Sequence, residues 1–211
     1  PIYFEIKPRD VVIKIPNQVK TYDGTVWSAV LASSLAEAGR FADATFEKVV
    51  GVTESGLVDG QDFIGTLMTK SVNSGYYYGG IVGSTLSDLV WKSGYKFYQN
   101  SNKNDVILST NYNLIVETTI TIDLAELDIE FADITHIYTG QEYFITHVWK
   151  HYPVVSGYTS IQDYDNQIKY TIDPLGHGAP ASSWSNTPIG CKFGSLTVYI
   201  MIEMPNYKVF K

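Results

Sequence analysis

A single cysteine, Cys191, leaves this chain unable to form a disulfide within itself, and no Cys/His set has the spacing of a structural zinc site. Its stability must come from packing. No apolar run approaches the roughly 20 residues that a membrane-crossing helix needs. The opening Pro-Ile-Tyr-Phe-Glu lacks the basic and then apolar order of a signal peptide, so synthesis in a cytoplasm is the simplest expectation. Charged residues are only 18% of the 211, and 15 Lys and Arg stand against 22 Asp and Glu for a net charge of −7. Gripping a phosphate backbone takes clustered Lys and Arg, so nucleic acid is not an expected partner. Catalytic signatures are missing too. There is no Gly-x-Ser-x-Gly, and nothing completes Ile81-Val82-Gly83-Ser84-Thr85 as a phosphate loop.

One absence is local. Between Lys103 and Lys150 there is no Lys or Arg, yet eight of the 22 acids fall there, so the rest of the chain is close to neutral. Within that stretch Leu114, Val116, Thr118, Ile120, Ile122 and Leu124 alternate with Ile115, Glu117, Thr119, Thr121 and Asp123, the period of a strand with one buried face. Near Ala125 the apolar phase moves to Leu127, Ile129 and Phe131, which requires a turn or a β-bulge and keeps Glu126, Asp128 and Glu130 outside.

Hydrophobic residues, at 45%, are ample for a core, and sixteen tyrosines bring aromatics to 14%. Tyr joins a large apolar body to a hydroxyl that tolerates water, which suits β surfaces and partly wet interfaces. Further strand patterns are Ile2, Phe4 and Ile6; Val11, Ile13 and Ile15 up to Pro16; Tyr143 to Trp149; Ile168 to Ile172; and Leu196, Val198, Ile200, Ile202 and Met204. One segment has a different period. Trp27, Leu31, Leu35, Ala38, Ala42, Phe46 and Val49 recur at three- and four-residue steps, with Asp23 or Thr25 placed to cap a helix and Gly51 to stop it. From Gly51 to Gly94 the chain is rich in Gly, Ser, Thr and Tyr, and Asp173 to Pro180 with Ser182 to Pro188 reads as a long loop.

These patterns predict a mainly β protein, an antiparallel β-sandwich or jelly-roll-like barrel with one principal α-helix near the N-terminus. The expected organisation is a single β-rich domain over 1–211, with a helical segment at about 25–50 and a Gly/Tyr-rich loop region at about 51–94. The run from Phe193 to Ile200 after a Pro/Ser/Asn loop resembles the closing strand of viral jelly rolls.

Candidate sites are few. His147 and His151 are four apart, but His-Val-Trp-Lys-His lacks the Glu of a zinc protease, and on a strand they would lie roughly 13 Å from one another. They are read as ordinary partly buried side chains, and His136 could join them only through the fold. The ladder Asp123, Glu126, Asp128, Glu130 and Asp133 has no calcium-loop spacing and reads as a solvated face that keeps strand edges from mispairing. Cys191 reads as a small filler. His177, between two glycines with Asp173 nearby, reads as a loop residue. Tyr76, Tyr77 and Tyr78 cannot all point inward in an extended segment, so at least one should be exposed. With Trp184 they are the candidates for a subunit interface or a glycan platform.

The sequence therefore points to no catalytic residue, no metal and no cofactor. It points to a non-enzymatic structural subunit of a large assembly, a virus or phage particle, located in the virion and assembled in the host cytoplasm from copies of itself and other structural subunits. A carbohydrate-binding or receptor-binding β-sandwich module with a glycan receptor, soluble in the cytoplasm, is the alternative, and a glycoside hydrolase the third reading.

Overall fold

The alternating run through Leu114 and Val116 becomes the longest of the described strands, and much of the first half of the chain is organised around it. In the computed structural model, residues 2–34, 37–79, 88–99, 102–172, 184–191 and 194–211 are described. The protein is mainly β: 48% of the described residues are strand and 4% helix. In chain order the strands are β1 Arg9–Lys14, β2 Gln18–Thr21, β3 Ser28–Ala32, β4 Thr45–Glu47, β5 Gln61–Thr69, β6 Gly75–Gly79, β7 Leu89–Gln99, β8 Asn102–Ile107, β9 Tyr112–Asp123, β10 Asp128–Ala132, β11 Tyr143–Phe144, β12 Thr146–His151, β13 Ile168–Thr171, β14 Gly190–Cys191 and β15 Tyr199–Ile202. The α-helix among the described residues, α1, spans Ile161–Asp165. Where one domain over 1–211 was expected, the chain divides into two compact units, Pro1–Asp123 and Leu124–Lys211.

In the first unit, β9 pairs with β1 from Arg9↔Tyr112 to Lys14↔Glu117 and with β2 from Gln18↔Ile120 to Thr21↔Asp123, both in parallel. Its other edge takes β6 antiparallel, and β4 closes the sheet beyond β1. The expected antiparallel sheet is thus a mixed one. Pro16 explains the break between β1 and β2, because a residue without an N–H cannot donate to the ladder. A second sheet, β3-β5-β7-β8, is antiparallel throughout.

Aromatic rings join the two sheets. Phe63 of β5 lies 5.4 Å from Phe46 of the five-stranded sheet, and Phe97 of β7 stacks on Tyr112 of β9 at 4.3 Å. Within the four-stranded sheet, Gly65 makes room for this cluster: a Cβ there would stand 2.9 Å from the Tyr95 Cβ and 3.0 Å from the Trp91 ring. Val11, Ile13, Leu31, Leu67, Leu89, Val116, Ile120 and Ile122 complete the core, each fully buried. Each such side chain contributes about 1.5–3 kcal/mol relative to exposure.

Where a helix was expected at about 25–50, the described residues of that segment form none. Trp27, Ala29 and Leu31 are buried at every second position, and β3 pairs with β5. Residues four apart share a face in a strand as well as in a helix, so Trp27 and Leu31 satisfy both periods, and pairing with β5 decides between them. Asp23 caps a turn instead: its Oδ1 accepts hydrogen bonds from Thr25 N (2.9 Å) and Oγ1 (2.7 Å). Gly39 then turns the chain at φ 73°, and Phe46 enters β4. The region at about 51–94, expected as loop, contains β5, β6 and the start of β7.

The second unit has three two-stranded antiparallel sheets, β10-β12, β11-β14 and β13-β15. Trp149, Ile168, Tyr170, Ile202 and Met204 form its core, with Leu127, Ile129 and Phe131 packed against it as the phase change predicts. The phase change falls in the connection between Asp123, where β9 ends, and Asp128, where β10 begins; a separate bulge in the β10-β12 pair leaves Lys150 of β12 opposite the Asp128–Ile129 step. α1 starts at a capping box in which the Asp163 carboxylate accepts from Ser160 N at 2.8 Å, and the backbone N–H groups of Thr159 and then Ser160 hold the Asp163 carboxyl below its ordinary range. The closing strand is shorter than its pattern: β15 begins at Tyr199, and Val198 and Ile200 are only partly buried while Ile202 and Met204 are buried.

Candidate functional site

The tyrosine run lies on β6, where the two-residue period divides it. Tyr77, opposite Ile120, is 9% exposed and donates its hydroxyl to the Asn73 carbonyl at 2.6 Å. Tyr76 and Tyr78, opposite Thr121 and Thr119, point to the outer face at 69% and 56% exposure. Tyr77 therefore belongs to the packing of the first unit, and its two neighbours are the exposed rings. Tyr78 is also fixed through its backbone, whose N–H reaches Asp88 Oδ2 at 3.0 Å.

Beside Tyr78 the outer face is hollowed. The β1 ladder stops at Lys14↔Glu117 and the β2 ladder begins at Gln18↔Ile120, so three residues, Ile15 to Asn17, stand opposite two, Thr118 and Thr119. The excess pushes the chain out at Pro16 as a bulge does. The result is an open groove of about 610 Å³ lined by Lys14, Asn17, Asp43, Tyr78, Glu117 and Thr119 among others. Lys14 is held at 2.6 Å by Glu47, and this partner raises the lysine pKa and lowers that of the glutamate. Its ammonium is thus already engaged, while Asp43 and Glu117 give the groove a negative balance.

The other candidates are scattered. Trp184 is partly buried in the second unit, next to Ser185, whose backbone exchanges hydrogen bonds with Tyr170 at 2.7 and 3.0 Å. His147 Nε2 meets Asp165 Oδ1 at 2.9 Å, and since a carboxylate only accepts, this nitrogen carries the proton. Trp149 Nε1 donates to the same oxygen at 3.0 Å. His151 is paired instead with Asp128, and His136 stacks on Tyr143 at 4.0 Å, so the histidines have separate partners. Among the described residues, no group of three His, Cys, Asp or Glu is placed to hold a metal ion. The acidic ladder is exposed but answered by cations from outside the run: Glu126 by Lys208 at 2.9 Å and Glu130 by Lys150 at 2.6 Å. Cys191 lies in β14, its thiol 3.8 Å from the Gly194 carbonyl. The Asp173–Pro180 loop with His177, the Ile81–Thr85 segment, and Ser182 and Ser183 lie outside the described residues.

Sequence reasoning missed the groove because its residues come from β1, the Pro16 break, the turn before β4, β6 and β9, and only the strand register brings them together. The one available signal was Pro16 ending a strand that resumes two residues later. Among the described residues no helix is long and apolar enough to cross a membrane. Comparison with protein-family models, with curated proteins and with solved structures finds no match.

Proposed function

We propose that the chain is a non-enzymatic structural subunit of a large assembly, a virus or phage particle put together in the host cytoplasm from copies of this chain and other structural subunits. Its first unit serves as a β-sandwich building block in that reading, with the two ring-joined sheets as the layers. The observation that carries it is the segment before β1. Ile2, Phe4 and Ile6 alternate like a strand, yet they are 98%, 88% and 87% exposed and belong to no strand of the chain. A strand-patterned apolar segment in water is costly to leave bare, and adding it to the sheet edge of another subunit satisfies both its side chains and its backbone. Ile137 and Tyr138, also exposed and outside any strand, offer a second such segment. The few strong charges and the many tyrosines fit broad subunit contacts.

Phe4→Asp combined with Ile6→Asp tests this. The unaltered chain should form a defined oligomer, or associate as concentration rises, in sedimentation and light scattering. The double variant should remain a monomer with an unchanged circular dichroism spectrum. A chain that stays monomeric at every concentration overturns the assembly reading, and an oligomer indifferent to the two substitutions removes the segment from the contact.

A further inference from the structure

The groove at the Pro16 break combines features that a sugar needs and that subunit packing does not explain. Tyr78 presents a ring at its wall, more than half exposed and set on a strand whose backbone is fixed by Thr119 and Asp88. A pyranose has an apolar C–H face that stacks on such a ring, and hydroxyls around its rim that seek acceptors. Asp43 and Glu117 are acceptors only, and the Asn17 amide both accepts and donates. Among the described residues, the ammonium that lines the groove is that of Lys14, bound to Glu47 at 2.6 Å. Two carboxylates with an engaged lysine repel a sialylated, uronic or sulfated sugar and leave a neutral one unopposed. A peptide adding as a strand is disfavoured, because β9 is flanked there by β6 on one edge and the Pro16 bulge on the other.

We propose that this groove is a binding site for neutral glycans, with the Tyr78 ring as the stacking platform and Asp43, Glu117 and Asn17 as the groups that hold hydroxyls. Tyr76, one strand repeat away on the same face, extends the platform toward a second sugar unit. Tyr77 takes no part. In a particle subunit such a site would attach the particle to a host surface, but the binding itself needs no assembly.

Saturation-transfer NMR and titration with lactose, maltose and cellobiose, alongside 3′-sialyllactose and a sulfated heparin disaccharide, test the assignment on the full chain. At least one neutral disaccharide should bind at millimolar or lower concentration, with the strongest transfer to the protons of one ring face. Tyr78→Ala should weaken that binding by about tenfold, the worth of a good ring contact, while Tyr78→Phe retains it. Asp43→Asn, in an exposed turn where folding is not at stake, should weaken it severalfold and settles the matter should the Tyr78→Ala chain fail to fold. The proposal is overturned by absence of binding to all three neutral sugars at about 10 mM, by preference for the anionic pair, or by affinities unchanged in the folded variants.

Discussion

Residues 1–123 and 124–211 build a core by different means. The first unit has strands of up to twelve residues gathered into sheets of five and four, while in the second no described strand exceeds six and every sheet is a pair. Of the twelve largest fully buried side chains, ten belong to the first unit and only Ile168 and Ile202 to the second. The second unit compensates with rings anchored by polar contacts. Trp149 packs near Tyr152 and Tyr164, its indole held by Asp165, and Tyr207 uses its hydroxyl to accept from Val154 N at 2.7 Å. Long strands present enough consecutive apolar side chains to exclude water by area alone. Short ones do not, and orientation by hydrogen bonds takes over.

That contrast can be broken at its strongest point first. Phe63→Ala removes the ring that touches Phe46, Trp91, Tyr95 and Phe97, and should cost about 3–5 kcal/mol in denaturant melts. A loss below about 1 kcal/mol would mean that the first unit does not depend on area burial as described. In the second unit the sensitive group is polar. Asp165→Ala strands both the Trp149 indole N–H and the protonated His147 nitrogen, so it should cost about 1–3 kcal/mol and alter the near-UV signal of Trp149. Melts and spectra identical to those of the unaltered chain would reject the anchoring role.

The smallest expected effect is electrostatic and returns to the first unit. Lys20, with help from Thr25, lowers the Asp23 pKa from 3.8 to about 2. A depressed carboxyl stabilises the fold at pH above its ordinary value, and this stabilisation fades as pH falls from near 4 to about 2. Asp23→Asn should therefore flatten that part of the acid limb in a plot of stability against pH and leave little else changed, since 56% of the side chain is exposed to screening solvent. An acid limb of unchanged slope would count against the contact.

How much could be read beforehand depended on length of pattern and on distance along the chain. Leu114 to Ile122 repeats often enough that only a strand fits, and the division of Tyr76 to Tyr78 between two faces follows from strand geometry alone. The helix expectation rested on seven residues from Trp27 to Val49 at steps of three and four, but Trp27 and Leu31 fit a strand equally well and Ala38 and Ala42 are exposed, so the spacing did not mark a buried helical face. The alternation from Leu196 to Met204 overstated burial at Val198 and Ile200 because a two-stranded sheet covers only part of its faces. The groove was illegible for another reason. Lys14 and Glu117 become neighbours through a parallel register, and nothing in the sequence near either residue announces the other.

That register also dictates an order of events at birth. β1 can find its parallel neighbour β9 only after Tyr112 to Glu117 have been made, about a hundred residues later, which at roughly 5–20 residues per second is about 5–20 s of translation. Antiparallel β3 and β5 need wait for far fewer residues. Until β9 emerges, β1 has only the three-residue β4 beside it, so Val11, Ile13 and Ile15 stay incompletely covered, and contacts this distant in sequence make slow folding. A nascent chain stalled before residue 112 should thus be the form that chaperones hold, and the release of β9 the moment at which it lets go.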